Sequence, residues 1–341
     1  MERLTIYRRS ICLLLVTGLC FTGLCFTGCG RGTPDRSSAP SSSPDSAQRS
    51  PQVLVVNYPL FFFAAWIAGD AAEVIFPAPE NVDPDYWRPS SEVIEQYQQA
   101  DLILVNGASF GRWLNRVSLP ESRMTNTSAS FREQYIMLPD AVVHQHGPEG
   151  EHAHEGLASH TWLGPELARQ QAVAVRDALV ELVPDRAEFF QQQWQALDRD
   201  LGELEDQFRQ LGDAYSTQPL YASHPLYDYL ARFCGWRLKN YHWEPDETPT
   251  DRQWERFAEQ HPEHGARIMI WEATPTPETE QRLLEEFQVV SVPFDTLANR
   301  PAEGDYVTVM QANLARLKQA LEAHESDTEA ETETEANTES E

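Results

Sequence analysis

The chain has 341 residues, 41% of them hydrophobic, which is enough for two domains with substantial cores. Its 53 acids against 26 bases give a formal net charge of −27, which argues against a nucleic-acid binder, whose phosphate contacts demand a basic face. Four of the five cysteines lie at or before position 29, which leaves Cys234 alone in the body and excludes both an internal disulfide framework and a CxxC zinc site.

The N-terminus reads as a targeting segment. Arg3, Arg8 and Arg9 precede an apolar run from Ile11 to Val16 that continues, interrupted by Gly and Cys, to Cys29. This is the pattern of a secretory signal, too broken for a membrane span. Phe26-Thr27-Gly28-Cys29 resembles a bacterial lipoprotein box, with Phe26 where an aliphatic residue is usual, so residues 1–28 are expected to be removed and Cys29 lipidated. Residues 29–52, rich in Ser and Pro, then read as a flexible tether.

From Val53 strands and helices alternate: VLVVNYPL (53–60) as a buried strand, FFFAAWIAG as a helix, EVIFPA (73–78) as a strand, SEVIEQYQQA (91–100) as a helix capped by Ser90, and LILVNG (102–107) as a strand. Units of this kind predict a parallel sheet with helices on its faces. The loop NVDPDYWRPS carries Asp83 and Asp85 at the carboxyl side of the second strand.

Residues 141–163 hold five of the ten histidines: His144, His146, His152, His154 and His160. Imidazole is the commonest metal ligand, so the cluster points first to metals. From His144 to His154 the histidines alternate with Gly, Pro and Glu without apolar period, which predicts a mobile loop over 144–156, a solvated insertion being the plain alternative. His160 stands instead before Trp162 and Leu163, where an ordered element begins; alone, it reads as a structural histidine.

Pro165 opens a helix to about Leu182, and Pro184 another to about Leu211. In the second, Phe190, Trp194, Leu197, Leu201, Leu204, Phe208 and Leu211 form one apolar seam, an internal spine in preference to a coiled-coil arm. The strand and helix alternation then returns: strand 219–224, helix YDYLARFCG, strand WRLKNYHW, helix 251–260, strand 266–272, helix 277–287, strand 289–295 and a last helix from Tyr306 to Leu321. Cys234, beside apolar residues, reads as a buried inert thiol. The tail 323–341 is acidic without apolar period and is expected to be disordered.

The chain thus divides into an N-terminal α/β lobe (53–163), linking helices (164–213) and a C-terminal α/β lobe (214–322), an α/β fold of two parallel-sheet lobes joined by a long spanning helix. Ligands of open parallel sheets gather at the carboxyl ends of strands. His224 follows one strand, Asp295 closes another, Asp85 follows a third, and His160 lies just before the spine. Two imidazoles and two carboxylates suit one divalent cation.

DPDYWRPS (83–90), ADLILVNG (100–107), the histidine loop, SHTWLGP (159–165), YASHPLYDYL (221–230), WEATP (271–275) and PFDTL (293–297) together resemble the metal-binding component of bacterial ABC importers for zinc or manganese, over about residues 53–322. The resemblance puts the family's four ligand positions on Asp85, His160, His224 and Asp295. Asp85 stands where the family usually has histidine, and the resulting mixed set suits manganese or iron as well as zinc. The histidine loop and the Irving–Williams order favour Zn2+ over Mn2+ or Fe2+. Glu272 is a spare ligand or a supporting group, and a loop histidine is an alternative first ligand.

The resemblance implies capture of the ion without any bond broken and delivery to a permease and an ATPase that are separate chains, from a monomer held at the membrane by its lipid, in the periplasm or at the cell surface. Imidazole ligation predicts weaker affinity below about pH 6. Two rivals remain: a secreted zinc hydrolase, which lacks HExxH and has only Glu272 as an obvious base, and a surface buffer or adhesin in which the histidine loop is the whole function.

Overall fold

The structure, a computed structural model, describes residues 49–138, 143–145, 151–153 and 156–338. The signal, Cys29 and most of the tether lie outside these residues. Among the described residues no helix is long and apolar enough to cross a membrane.

The first sheet is parallel throughout. It contains β1 (Gln52–Val55), β2 (Glu73–Ile75), β3 (Leu102–Val105) and β4 (Met124–Asn126), in the order β2-β1-β3-β4. The strand expected over 53–60 stops at Val55, because Asn57 turns extended and its side chain accepts from Leu60 N, capping α1 (Tyr58–Ala68) with Pro59 in the first turn. β4 was not expected: Met-Thr-Asn carries no apolar alternation, and its pairing with β3 holds it. α2 (Ser91–Gln99) starts at the Ser90 cap.

Within the histidine stretch, β5 (Val143–Gln145) pairs antiparallel with β6 (Glu151–Ala153), His144 opposite His152. Of the mobile loop expected over 144–156, the described residues are 144–145, 151–153 and 156, and their backbone pairing needs no apolar period. His146 and His154 lie outside the described residues.

α3 (Pro165–Leu182) and α4 (Ala187–Ala214) follow, with a 3-10 turn over Pro184–Arg186 between them. The 28 residues of α4 span roughly 42 Å at 1.5 Å per residue. Its seam is buried at Phe190, Leu197, Leu201, Leu204, Phe208 and Leu211, packed within the chain against α1 and α3. Arg169 of α3 grips Asp198 with two nitrogens (2.9 and 3.0 Å) and Glu205 with a third (2.9 Å), tying the two helices together.

The second sheet repeats the first: β7 (Pro219–Ala222), α5 (Asp228–Cys234), β8 (Arg237–Asn240), α6 (Asp251–His264), β9 (Ile268–Trp271), α7 (Pro277–Phe287) and β10 (Val290–Pro293), in the parallel order β10-β9-β7-β8. α4 also packs on α5, where Gly212 meets Cys234, whose buried Sγ faces the Phe208 carbonyl. α6 runs past the expected Gln260 through Pro262 to the left-handed Gly265.

α8 (Tyr306–Thr338) packs on α4 and β10. The helix continues through the tail, where disorder was expected. Glu and Ala carry little helix cost, and Tyr215 Oη donates to Glu325 Oε2 at 3.2 Å beyond the last apolar turn.

The lobes are stitched directly. Tyr58 N donates to Ala298 O (3.0 Å), Trp162 Nε1 to Thr296 O (2.6 Å) and Tyr306 Oη to Trp162 O (2.9 Å), and Asn299 Nδ2 donates to both Pro79 O and Val82 O (2.7 Å each). One apolar core runs from β1 and α1 through α4 to β7 and α8.

Candidate metal centre

His224 lies two residues beyond β7 and is buried. Its Nε2 is 3.0 Å from Glu244 Oε1 and its Nδ1 is 3.1 Å from Glu272 Oε1. Glu244 follows β8 and Glu272 follows β9, the two strands on either side of β7, and the three groups offer ligand atoms within 4.8 Å of one another. Ligands of one tetrahedral zinc lie roughly 3.3 Å apart at bond lengths near 2 Å, so this spacing and this nitrogen and oxygen chemistry fit a divalent ion. One imidazole cannot give both nitrogens to one ion. One carboxylate therefore shares the ion and the other receives the remaining N–H.

Burial opposes charge on His224, but hydrogen bonds and charge from Glu244 and Glu272 outweigh it and raise its pKa to about 10. The same Glu272 charge acts on His160, on Asp295 and on Tyr227, whose Oη donates to Phe294 O at 2.8 Å. Glu272 therefore stands at the electrostatic centre of the group.

His160 belongs to the other side. It is buried between the rings of Phe110 and Trp162 (centroids 5.8 and 4.7 Å), and burial lowers its pKa to about 4 against the opposing pull of Glu272. It is neutral at pH 7, as a metal ligand must be. Ser159 Oγ lies 3.2 Å from His160 Nδ1 and donates to Asp85 Oδ2 at 3.3 Å. A hydroxyl has one proton; with it given to Asp85, Oγ accepts from His160 Nδ1–H, which leaves the Nε2 lone pair for an ion. Asn106 fixes this segment, its Nδ2 donating to Ser159 O (3.0 Å) while its Oδ1 accepts from Thr161 Oγ1 and Gln171 Nε2.

The two expected aspartates are engaged differently. Asp85 Oδ1 accepts from Gly111 N at 2.7 Å and Oδ2 from Ser159, and burial raises its pKa while Arg112 opposes this. Asp85 is thus joined to His160 through a serine, and among the described residues none of Asp85, His160 and Asp295 is part of the group of His224, Glu244 and Glu272. Asp295 Oδ1 accepts from Leu297 N at 2.7 Å, its backbone is held on both sides by Asn313, and burial raises its pKa, with Glu272 adding to the rise. Glu244 and Ser159 were missed in the sequence. The strand-end rule, applied to the strand ending at WRLKNYHW, points to Glu244; Ser159 carries no signal of its own.

The comparisons agree with this architecture. A family model described as zinc-uptake complex component A, periplasmic (ZnuA), matches residues 53–320. The high-affinity zinc uptake system protein ZnuA of Bacillus subtilis is 24% identical over 84% of this chain and 92% of its own. The zinc-binding lipoprotein AdcA of Streptococcus pneumoniae is 24% identical over 78% of this chain, which spans 55% of that longer protein. The crystal structure of the metal-dependent lipoprotein YcdH of Bacillus subtilis superposes with a TM-score of 0.68 at 20% identity, over 79% of this chain and 99% of that one. With two parallel-sheet lobes, a long helix between them and a family match over most of its length, the chain belongs to the periplasmic zinc-uptake component A family of ABC-importer solute-binding proteins.

Proposed function

We propose that the protein captures one zinc ion where the lobes meet and delivers it to the permease of an ABC importer. The observation that carries this is His224 held between Glu244 and Glu272 with buried, neutral His160 facing the same charge. In this reading His160, His224 and Glu272 bind the ion, and Asp295 completes the set. Glu244 takes the remaining N–H of His224, and Asp85 orients His160 through Ser159.

Capture needs no bond-breaking step. The continuous core and the hydrogen bonds between the lobes favour closure by side chains and loops over hinged opening. Export, the lipid on Cys29, a tether over 29–52, lobes at 53–163 and 214–322, and a monomer served by separate permease and ATPase chains complete the proposal. Two carboxylates beside two imidazoles in this set keep manganese or iron as the second reading.

Calorimetric zinc titration of metal-free protein tests it, with a 1:1 high-affinity site expected and lost in His160→Ala and in His224→Ala. Unchanged binding in both variants would overturn the site. Competition between zinc and manganese decides the cargo, and ester or peptide hydrolysis by wild type but not by Glu272→Gln would make it an enzyme instead.

A further inference from the structure

Trp162 touches the segments that carry His160 and Asp295. It stands just beyond His160 in the chain, is fully buried, and its ring packs on the His160 imidazole with centroids 4.7 Å apart. Its indole Nε1–H reaches into the C-terminal lobe and donates to Thr296 O at 2.6 Å. Thr296 immediately follows Asp295, whose Oδ1 accepts from Leu297 N at 2.7 Å. The Asp295 carboxylate thus closes an Asx turn whose middle residue is the one that Trp162 grips. Asn313 of α8 holds the Asp295 backbone, and Tyr306 Oη of the same helix donates to Trp162 O at 2.9 Å. Trp162 is therefore tied to the C-terminal lobe at both its indole and its carbonyl.

We infer that Trp162 is a positioning residue that sets the separation of His160 and Asp295 across the lobes, and with it the geometry in which both reach one ion. The inference rests on the reading that both residues bind zinc. They lie in different lobes whose sheets share no strand, so backbone ladders cannot fix their spacing. Neither belongs to the compact group of His224, Glu244 and Glu272, so those side chains do not hold them together either. A binding site needs its donors held to within about 0.5 Å by locked neighbours. One rigid indole, packed on the first ligand and bonded to the residue beside the second, supplies that constraint. The bonds from Asn299 Nδ2 to Pro79 O and Val82 O also join the lobes, but touch neither ligand's neighbouring residue.

Calorimetric zinc titration of the full-length chain tests this in a double-mutant cycle, with the visible absorption of Co2+-loaded protein as a readout of coordination geometry. Trp162→Phe keeps an aromatic ring on His160 and removes the donor, and Asp295→Ala removes the second ligand. Each is expected to weaken zinc binding at least about tenfold. The Trp162→Phe loss should shrink to less than about twofold in the Asp295→Ala background, where no second ligand remains to be spaced. Tyr306→Phe, which deletes one oxygen, should weaken binding about fivefold with the same dependence on Asp295, and decides alone if Trp162→Phe does not fold. The cobalt band should shift in Trp162→Phe and Tyr306→Phe but not in Asn299→Ala, which breaks a contact between the lobes away from the ion. Losses that add fully to that of Asp295→Ala, or unchanged affinity and cobalt band in both aromatic variants, overturn the inference and leave the site standing. Zinc affinity untouched by Asp295→Ala overturns Asp295 as a ligand, and this inference with it.

Discussion

Glu272 Oε1 lies 3.1 Å from Nδ1 of His224, although 48 positions separate the two residues. Because the Glu272 charge also reaches His160 and Asp295, its removal should cost more than that of the carboxylate on the other side of the ring. Glu272→Gln is expected to weaken zinc binding by more than about 100-fold, and Glu244→Gln, which disturbs only ring orientation, by about 10- to 100-fold. Calorimetry on the two variants checks the order; the reverse order would exchange their roles.

The pH dependence expected from an ordinary histidine, weakening below about pH 6, changes in this setting. His224 is raised to about 10 and so is protonated at pH 7, and zinc must displace that proton. Affinity should therefore fall about tenfold per pH unit on acidification from about pH 9 to pH 5, with close to one proton released on binding at pH 7. His160, lowered to about 4, adds a second loss only below that range. Titrations in buffers of different ionisation enthalpy measure the released proton, and zero release at pH 7 would refute the paired state of His224. In the metal-free protein the raised pKa stabilises the fold fully below about pH 6.5, and this contribution is lost as pH rises through about 10.

Ser159→Ala removes the hydroxyl between His160 and Asp85 without emptying the core. Zinc affinity should drop about 10- to 100-fold with little change in Tm, and Ser159→Thr should restore most of it. Asp85→Ala, by contrast, strands the buried Gly111 N–H and should also lower stability by about 1–3 kcal/mol in thermal unfolding. An Asp85→Ala loss of affinity as complete as that of His160→Ala would make Asp85 a direct ligand.

Deletion of residues 144–156, which removes His144, His146, His152 and His154, should leave the 1:1 high-affinity zinc site intact and abolish only weaker additional binding. Equilibrium dialysis at rising zinc distinguishes this from a buffer, in which all binding would disappear.

Gly212 lets α4 approach α5 so closely that a Cβ there would stand 2.7 Å from Cys234 Cα. Gly212→Ala must push backbone apart, and about 1–3 kcal/mol of destabilisation is expected, measured by denaturant unfolding. Zinc affinity should be retained, since no proposed ligand lies on either helix.

The amino-acid sequence alone determined the alternation of strands and helices, because each element depends on local signals: apolar period, the Ser90 cap, the prolines opening α3 and α7, and the seam of α4. It also put His224 after one strand, Asp295 at the close of another and His160 at the entry to the linking helices. The ends of elements were less legible. Asn57 stops one strand early, and α8 continues in helical form past Leu321. Only the tertiary structure decided which carboxylates meet the imidazole. Strand order places β7 between β9 and β8, so the residues after those two strands flank His224, while Asp295 follows β10, one strand further out. Periodicity states which face a residue occupies; it carries no information about which distant strand becomes its neighbour, and that neighbour supplies the charge.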